Sequence, residues 1–578
     1  MSLGLLAVLV VFLLTTAYFT YGRFIARQYA LDDARLTPAV VHADGVDFVP
    51  TRPFYLLGQH FSAIAAAGPI VGPIAAAATF GWLPCLLWIL FGVVFIGAVH
   101  DFSALVASVR HGANSVAEIA KLHLGHRAWI ALVTFIWVAL VYVIVAFTDV
   151  TASTFLGKTE DFEGLPGGFN PGGAVAIASV LYLCIALAMG LVERFTPARF
   201  RPMWLMTVIF VPATLVAVWY GTQASTILLF GARFWHVGIL AYCFVASLLP
   251  LWLLQQPRGY LGGFILYLSI GVGLVGVLFG GFAIQMPAVT PAVTAGGLGA
   301  ILLGSPDAPA LTTLVFPFLF VTIACGACSG FHGLVCGGTT SKQIAKESHT
   351  HAIGYGAMLL EGLVAVIALA TVMIVAPGAD ASRPPGVIYG EGIARFVTVI
   401  LGDDALLFAR TFGTMAVATF VFDTLDVSTR LGRYLLQELT GATNRIAGTF
   451  AALVTAGVPL LVLFSSEPGS WRQFWTLFGT ANQLLAALTL LAVSVWLVRE
   501  GRRAWYVIGP MVLVMGVTLT AVSLQALAGV RAIVATGLSF TPPIINGIVA
   551  IVLLALALAF IVEALRAVRR PLEGVQAA

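Results

Sequence analysis

Four ionisable side chains stand where apolar sequence ought to exclude them. His100 and Asp101 are adjacent inside GAVHDFSALVAS, Glu361 lies about two turns into an apolar stretch and is followed by Gly362, and His332 sits in CSGFHGLVCGG. An ionisable group inside a membrane span is a functional candidate by default. A buried acid beside an imidazole can bind and release a proton near neutral pH, so His100, Asp101 and Glu361 are proton-coupling candidates. The competing reading of His100–Asp101 is an internal pair that locks helix packing. Asp423 and Asp426, near Arg430 and Arg433, read as a structural salt-bridge network. Asp149, next to Thr148, reads as a polar helix end, and Asn482–Gln483 as hydrogen bonding between helices.

A second kind of chemistry belongs to the backbone. HFSAIAAAGPIVGPIAAAATFG (60–81) is apolar enough for a membrane yet holds Gly68-Pro69 and Gly72-Pro73. Proline removes a backbone donor and clashes with the carbonyl four residues back. In lipid the freed groups survive only when packed in protein or lining a wet cavity, so GPIVGP predicts an interrupted helix at a binding site. CFVASLLPLWLLQQPRGY (243–260), with Pro250 late in a span and Gln255, Gln256 and Pro257-Arg258 after it, reads as a second break, although Pro250 alone favours a kinked helix with an interfacial polar end. In TIACGACSGFHGLVCGGTTSKQ (322–343), Gly326, Ser329 and Gly333 permit close helix approach. Cys325, Cys328, His332 and Cys336 repeat at helical spacing, but one stripe of a helix does not wrap a tetrahedral ion, so no metal site is expected; Ser329 and His332 remain site candidates.

The elements that must position these groups follow from composition. The chain has 578 residues, 60% hydrophobic and 9% charged, where soluble domains carry about 25% charged residues. It reads as an all-α polytopic membrane protein. Spans are expected at 2–22, 57–77, 83–109, 128–148, 174–193, 202–221, 236–254, 261–285, 313–336, 353–376, 408–427, 447–465, 475–498, 504–527 and 541–566. With the N-terminus outside and the C-terminus inside, alternate cytoplasmic loops hold 22 of the 29 Lys and Arg residues, and the opposite side has only Lys158, Arg233, Arg383, Arg395, Arg410, Arg472 and Arg531. That is the positive-inside bias, in register along the chain. Residues 111–127 read as a surface amphipathic helix, 286–311 as an outer loop and 390–402 as a re-entrant or interfacial piece. The start reads as a retained span, and the six cysteines form no disulfide framework. There is no dinucleotide fingerprint, phosphate loop or basic tract for nucleic acid, no cofactor is expected, and no metal or triad spacing points to an enzyme.

The residues from about Asp44 to Leu490 resemble the carbon starvation protein A family of bacterial inner-membrane transporters. The motifs are DGVDFVPT (44–51), GQHFSAIAAAGPIVGP (58–73), GAVHDF (97–102), LPLWLLQQPRGY (249–260), TIACGACSGFHGLVCGGTT (322–340), DTLDVSTRLGRYLLQEL (423–439) and LFGTANQLLAAL (477–488). The sequence departs from the family at Cys328 and Cys336, often small residues there, and at Gly259, where the family has an acid. The resemblance implies secondary uptake of pyruvate or small peptides driven by a proton gradient. It also implies a LeuT-like core of two inverted five-helix repeats, 57–221 and 236–427 within 57–427, with an extra helix and the DGVDFVPT segment in 1–56 and further helices in 428–578.

In that frame the first and sixth core helices are the two broken segments, and 313–336 is the eighth. A carboxylate substrate is expected at GPIVGP, with Ser62, Gly68, Pro69, Gly72, Pro73 and Ser329 lining the site and Gln59, His60 and His332 towards the inner side. The coupling ion is expected to be H⁺. Sodium coupling through Ser329, Thr339 and unwound carbonyls is the alternative, and a non-transporting substrate sensor is another.

Overall fold

The computed structural model describes residues 2–45, 47–65, 67–156, 168–290, 314–375, 383–442 and 444–569. Most of the expected outer loop 286–311 lies outside these. The fold is all-helical, and helical segments occupy all fifteen expected places. Among the described residues twelve helices are long and apolar enough to cross a membrane. The remaining three places hold the pair Pro53–Ile64 and Gly68–Phe80, the 17-residue helix Ala232–Leu248, and the fragmented segment 315–340.

Burial sorts the helices into an inner set and an outer set. The apolar windows of Trp471–Arg499, His351–Met373 and His126–Leu156 are 89%, 83% and 78% buried, against 33% for Leu3–Tyr29 and for Pro542–Arg569. Lipid is as apolar as leucine, so packing here depends on close approach at small residues. At the crossing of Trp505–Thr536 and Pro542–Arg569, Gly529 lies against Gly547 with no room for a side chain between them. The expected re-entrant piece at 390–402 is a helix, Pro385–Leu401, whose Gly390 and Gly392 pack on Thr414 and Thr371.

The interruptions differ from expectation in place. The first unwinds at Ala65 and Ala67, just before GPIVGP, and the flanking helices meet at 45°. Gly68–Phe80 starts with Pro69 in its first turn and keeps Pro73 inside it. The reason is that a first-turn proline lacks only a donor that would have had no helical partner. Pro250 breaks no span: Ala232–Leu248 ends before it, with Leu249 extended (φ −70°, ψ 152°) as a residue preceding proline should be, and a new helix begins at Gln255. The second true interruption lies in the span expected at 313–336, where helix ends at Thr322 and resumes at Gly330. The two interruptions face each other: Gly68 abuts Cys325, and Gly326 would place a methyl 3.4 Å from Pro69 Cα.

One end of the bundle collects the basic loops. Arg499 Nη1 donates to the His123 carbonyl at 2.5 Å, and Arg110 Nη2 to the Tyr29 carbonyl at 2.8 Å. The expected surface helix is Val116–Leu124, opened by a reciprocal Ser115–Glu118 capping box. DGVDFVPT also has its place at this end. Asp44 Oδ1 accepts from the Asp47 and Phe48 amides at 2.9 Å, and Val49 and Thr51 pair with the Lys342 and Gln343 carbonyls. Nearby Glu347 binds Arg35 and Arg110 at 3.0 Å and the Asp32 amide. Burial alone would raise the Glu347 carboxyl, but the Arg110 and Asp32 hydrogen bonds and the charges of Arg110 and Arg35 hold it below its ordinary range. The strap 32–51 thus ties the start of the first interrupted helix to the end of the second.

Close approach at the interruptions has a testable cost. A methyl on Gly72 would lie 2.8 Å from the Thr322 carbonyl oxygen, whereas one on Gly238 meets nothing within 4 Å. Gly72→Ala is expected to destabilise by about 1–3 kcal/mol, as overpacking does, and to lower the unfolding midpoint in detergent. Gly238→Ala should leave it unchanged, and equal midpoints for the two variants would contradict this packing.

Candidate functional site

Three elements bring four ionisable side chains into one buried line. Trp82–Arg110 carries His100 and Asp101, the half-helix after the second interruption carries His332, and His351–Met373 carries Glu361. His100 Nδ1 lies 2.7 Å from Asp101 Oδ1 and His332 Nδ1 lies 2.8 Å from Asp101 Oδ2. His332 Nε2 is 3.2 Å from Glu361 Oε2, a close ionic approach without hydrogen-bond geometry. All four are buried to 1% exposure or less. His60, on the half-helix before the first interruption, bonds Thr340 Oγ1 through Nδ1 at 2.8 Å. His60 Nε2, His100 Nε2 and both Glu361 oxygens have no hydrogen-bond partner among the described residues.

Burying net charge costs several kcal/mol per ion even after relaxation. The line is neutral when protonated imidazoles equal ionised carboxylates in number. Protons can shift along it at constant net charge, but one proton gained or lost makes it charged. Such a cluster exchanges a proton readily only when a compensating charge arrives or leaves with it.

The interruption beside His332 exposes peptide groups that lipid cannot satisfy, and neighbouring side chains take them up. Gln483 Nε2 donates to the Phe320 carbonyl at 2.8 Å, Trp475 Nε1 to that of Thr322 at 3.1 Å, and Trp88 Nε1 to those of Phe320 and Ile323 at 3.2 Å. Asn482 Oδ1 accepts from the Phe331 amide at 3.0 Å, and its Nδ2 donates to Ser329 Oγ at 3.1 Å and reaches Cys325 Sγ at 3.2 Å. The expected interhelical role of Asn482–Gln483 is what the structure shows, and the target is the interrupted helix itself.

The other expected site residues divide. Gly68, Pro69, Gly72 and Pro73 are buried on the Gly68–Phe80 helix, against Thr322, Cys325 and Gly326 of the second interruption, whereas Ser329 is buried against Asn482. Ser62 turns instead towards Gln255–Phe279, with Oγ 3.5 Å from the Gly259 carbonyl. Gln59 is exposed. His332, expected as a substrate contact, is the link between Asp101 and Glu361; His332 stands 231 positions after Asp101, and no spacing in the chain signals that meeting. Trp88 and Trp475 were not expected here, since a lone tryptophan in a span carries no signature. Asp149 is no mere helix end: it binds His236 Nε2 at 2.9 Å and the Gly469 amide at 3.1 Å. Arg430 caps Ala232–Leu248 through the Ala246 and Leu249 carbonyls, and the partner of Asp423 and Asp426 is Arg258.

A multi-pass helical bundle with two interrupted helices face to face beside a buried charge line is the architecture of a secondary transporter. The family model for carbon starvation protein CstA matches residues 2–391 and 381–521, and the chain belongs to that family. It is 35% identical to the peptide transporter CstA of Helicobacter pylori strain J99, over 87% of this chain and 79% of that protein. It is 31% identical to the pyruvate/proton symporter BtsT of Escherichia coli K12, over 88% of this chain and 80% of that one. A manganese transporter from Eremococcus coleocola superposes with a TM-score of 0.44 at 13% identity, over 91% of this chain and 97% of that chain.

Removing a carbonyl cap tests the role of the motif. Gln483→Leu leaves the Phe320 carbonyl only the longer bond from Trp88 Nε1, a loss of about 0.5–1.5 kcal/mol, so its unfolding midpoint should fall. Gln483→Glu, which also loses the donor, should do the same or worse. A midpoint equal to the parent's in both would show that the carbonyl needs no cap from Gln483.

Proposed function

We propose that the chain imports a small carboxylate, pyruvate or a short peptide, across the bacterial inner membrane together with a proton, by alternating access around the two interruptions. The observation that carries this reading is the buried line His100–Asp101–His332–Glu361 next to the second interruption. A proton entering the line adds a positive charge where charge is costly, and an anionic substrate held nearby offsets it; each therefore favours entry of the other. His332 lies on the half-helix that follows the interruption, so a tilt of that half-helix makes or breaks its contacts with Asp101 and Glu361. His60, with its free Nε2, and the small residues Gly68, Gly72 and Ser329 frame the substrate path, and the core carrying it lies within 57–427. Two relatives support the substrate range by name, one as a peptide transporter and one as a pyruvate/proton symporter.

The test is uptake into proteoliposomes of labelled pyruvate and of Ala-Ala, with lumenal pH recorded. Substrate should acidify the lumen, with or without sodium. Glu361→Gln fixes one member of the line as neutral and should lower accumulation driven by a pH gradient more than about 10-fold, a loss of at least ~1.4 kcal/mol of coupling. Uptake that needs sodium and moves no protons, or undiminished gradient-driven accumulation by Glu361→Gln, would overturn the proposal.

A further inference from the structure

A second buried charge cluster lies on the other side of the Pro53–Ile64 half-helix, where Ser62 points. Arg258, in the first turn of Gln255–Phe279, has no solvent exposure. Its Nε and Nη2 donate to Asp423 Oδ1 at 2.9 and 2.5 Å. Its Nη1 donates to Tyr242 Oη at 2.6 Å and pairs with Asp426 Oδ2, to which Tyr242 also donates at 2.8 Å. Tyr182 donates to the Arg258 carbonyl at 2.6 Å. Arg430 and the Cys243 thiol complete the surroundings of Asp426.

Three features distinguish this cluster from a closed structural network. Asp423 holds two donors of the guanidinium fork through a single oxygen, leaving the bidentate match of guanidinium and carboxylate unused. The Asp423 side chain is 21% exposed, against 0% and 4% for Arg258 and Asp426; a charged side chain within a span faces the bundle interior or a water-filled cavity. Asp426 Oδ1 is buried without a hydrogen-bond partner. Glycines bring the backbone close to Asp423: a methyl on Gly262 would sit 3.3 Å from Asp423 Oδ2 and from Tyr182 Oη, tighter than ordinary contact, and one on Gly263 would touch Ser62 Oγ at 3.5 Å.

The geometry points to Arg258 as the carboxylate anchor of the transported substrate, with Asp423 as the resident carboxylate that the substrate displaces and that takes up a proton as it leaves. This rests on the carboxylate–proton symport reading, with Asp423 holding the coupled proton while the substrate is bound and the His100–Asp101–His332–Glu361 line exchanging it during transport. On entry, the Nε–H and Nη2–H bonds pass from Asp423 Oδ1 to the two substrate oxygens, and Asp423 gains one proton. One anion and one proton arrive together, so the net charge around Arg258 is unchanged; release reverses both transfers. Asp426 and Tyr242 keep Nη1 in place throughout. The anchor recognises a carboxylate and is indifferent to the rest of the molecule, which suits both an oxo acid and a peptide C-terminus.

The experiment is calorimetric binding to the full chain in nanodiscs, with pyruvate, Ala-Ala and pyruvamide as probes, in buffers of different ionisation enthalpy so that proton uptake is read directly. The parent should bind the two carboxylates but not pyruvamide, taking up about one proton each. Arg258→Lys keeps the charge for Asp426 but loses the fork, and should weaken both carboxylates about 10-fold or more. Asp423→Asn should bind pyruvate with the coupled proton uptake abolished, a readout that stands on its own should Arg258→Lys be poorly folded. Binding by Arg258→Lys within twofold of the parent, or full proton uptake by Asp423→Asn, overturns the anchor while leaving symport standing. Absence of binding of either carboxylate to the parent overturns both.

Discussion

A peptide group in lipid must have a partner within the protein, and this protein leaves two of its helices unwound at the centre of the bundle. Everything around the second interruption answers that constraint. Trp88, Trp475 and Gln483 supply N–H donors to the carbonyls of Phe320, Thr322 and Ile323, and Asn482 takes the Phe331 amide. All of these caps but Trp88 come from Trp471–Arg499, the most buried of the spans, so the unwound backbone is held by a rigid wall. Side-chain caps also differ from a helical ladder in one useful respect. They can be exchanged one at a time, which lets a half-helix tilt without leaving the whole segment unsatisfied.

The charge line depends on the same interruption. An unbroken helix through residues 322–340 would place His332 by the helical screw alone. With helix lost between Thr322 and Gly330, the second half is free to seat His332 between Asp101 and Glu361, which belong to two different helices. In the proposed mechanism, substrate path, proton line and moving half-helix are therefore one structure. The strap 32–51, held by Glu347 and by pairing with residues 342–344, closes one end of it.

Much of this was legible in the sequence. Period, length and the alternation of basic loops placed fifteen helical segments, because lipid imposes the same apolar length on each. The buried candidates His100, Asp101, His332 and Glu361 stood out since an ionisable residue in apolar sequence is costly. Proline was a poorer guide to the breaks. Pro69 marks a helix start, Pro73 is absorbed within a helix and Pro250 lies between helices, while the second interruption falls in a stretch with no proline, where glycine and side-chain caps do the work. Long-range pairings were not legible at all. Nothing in the spacing of Arg258 and Asp423, or of Asp149 and His236, announces that they meet, and Arg430 and Arg433 were nearer in sequence to the two aspartates than the arginine that binds them.

The central claim is that substrate and proton share one buried charge balance. Infrared difference spectroscopy of the protein in liposomes, recorded on adding pyruvate, observes it without relying on transport. The account predicts a change in the stretching band of protonated carboxyl groups as the substrate binds, shifted by deuterium exchange. Binding of pyruvate with no change in that band would contradict it.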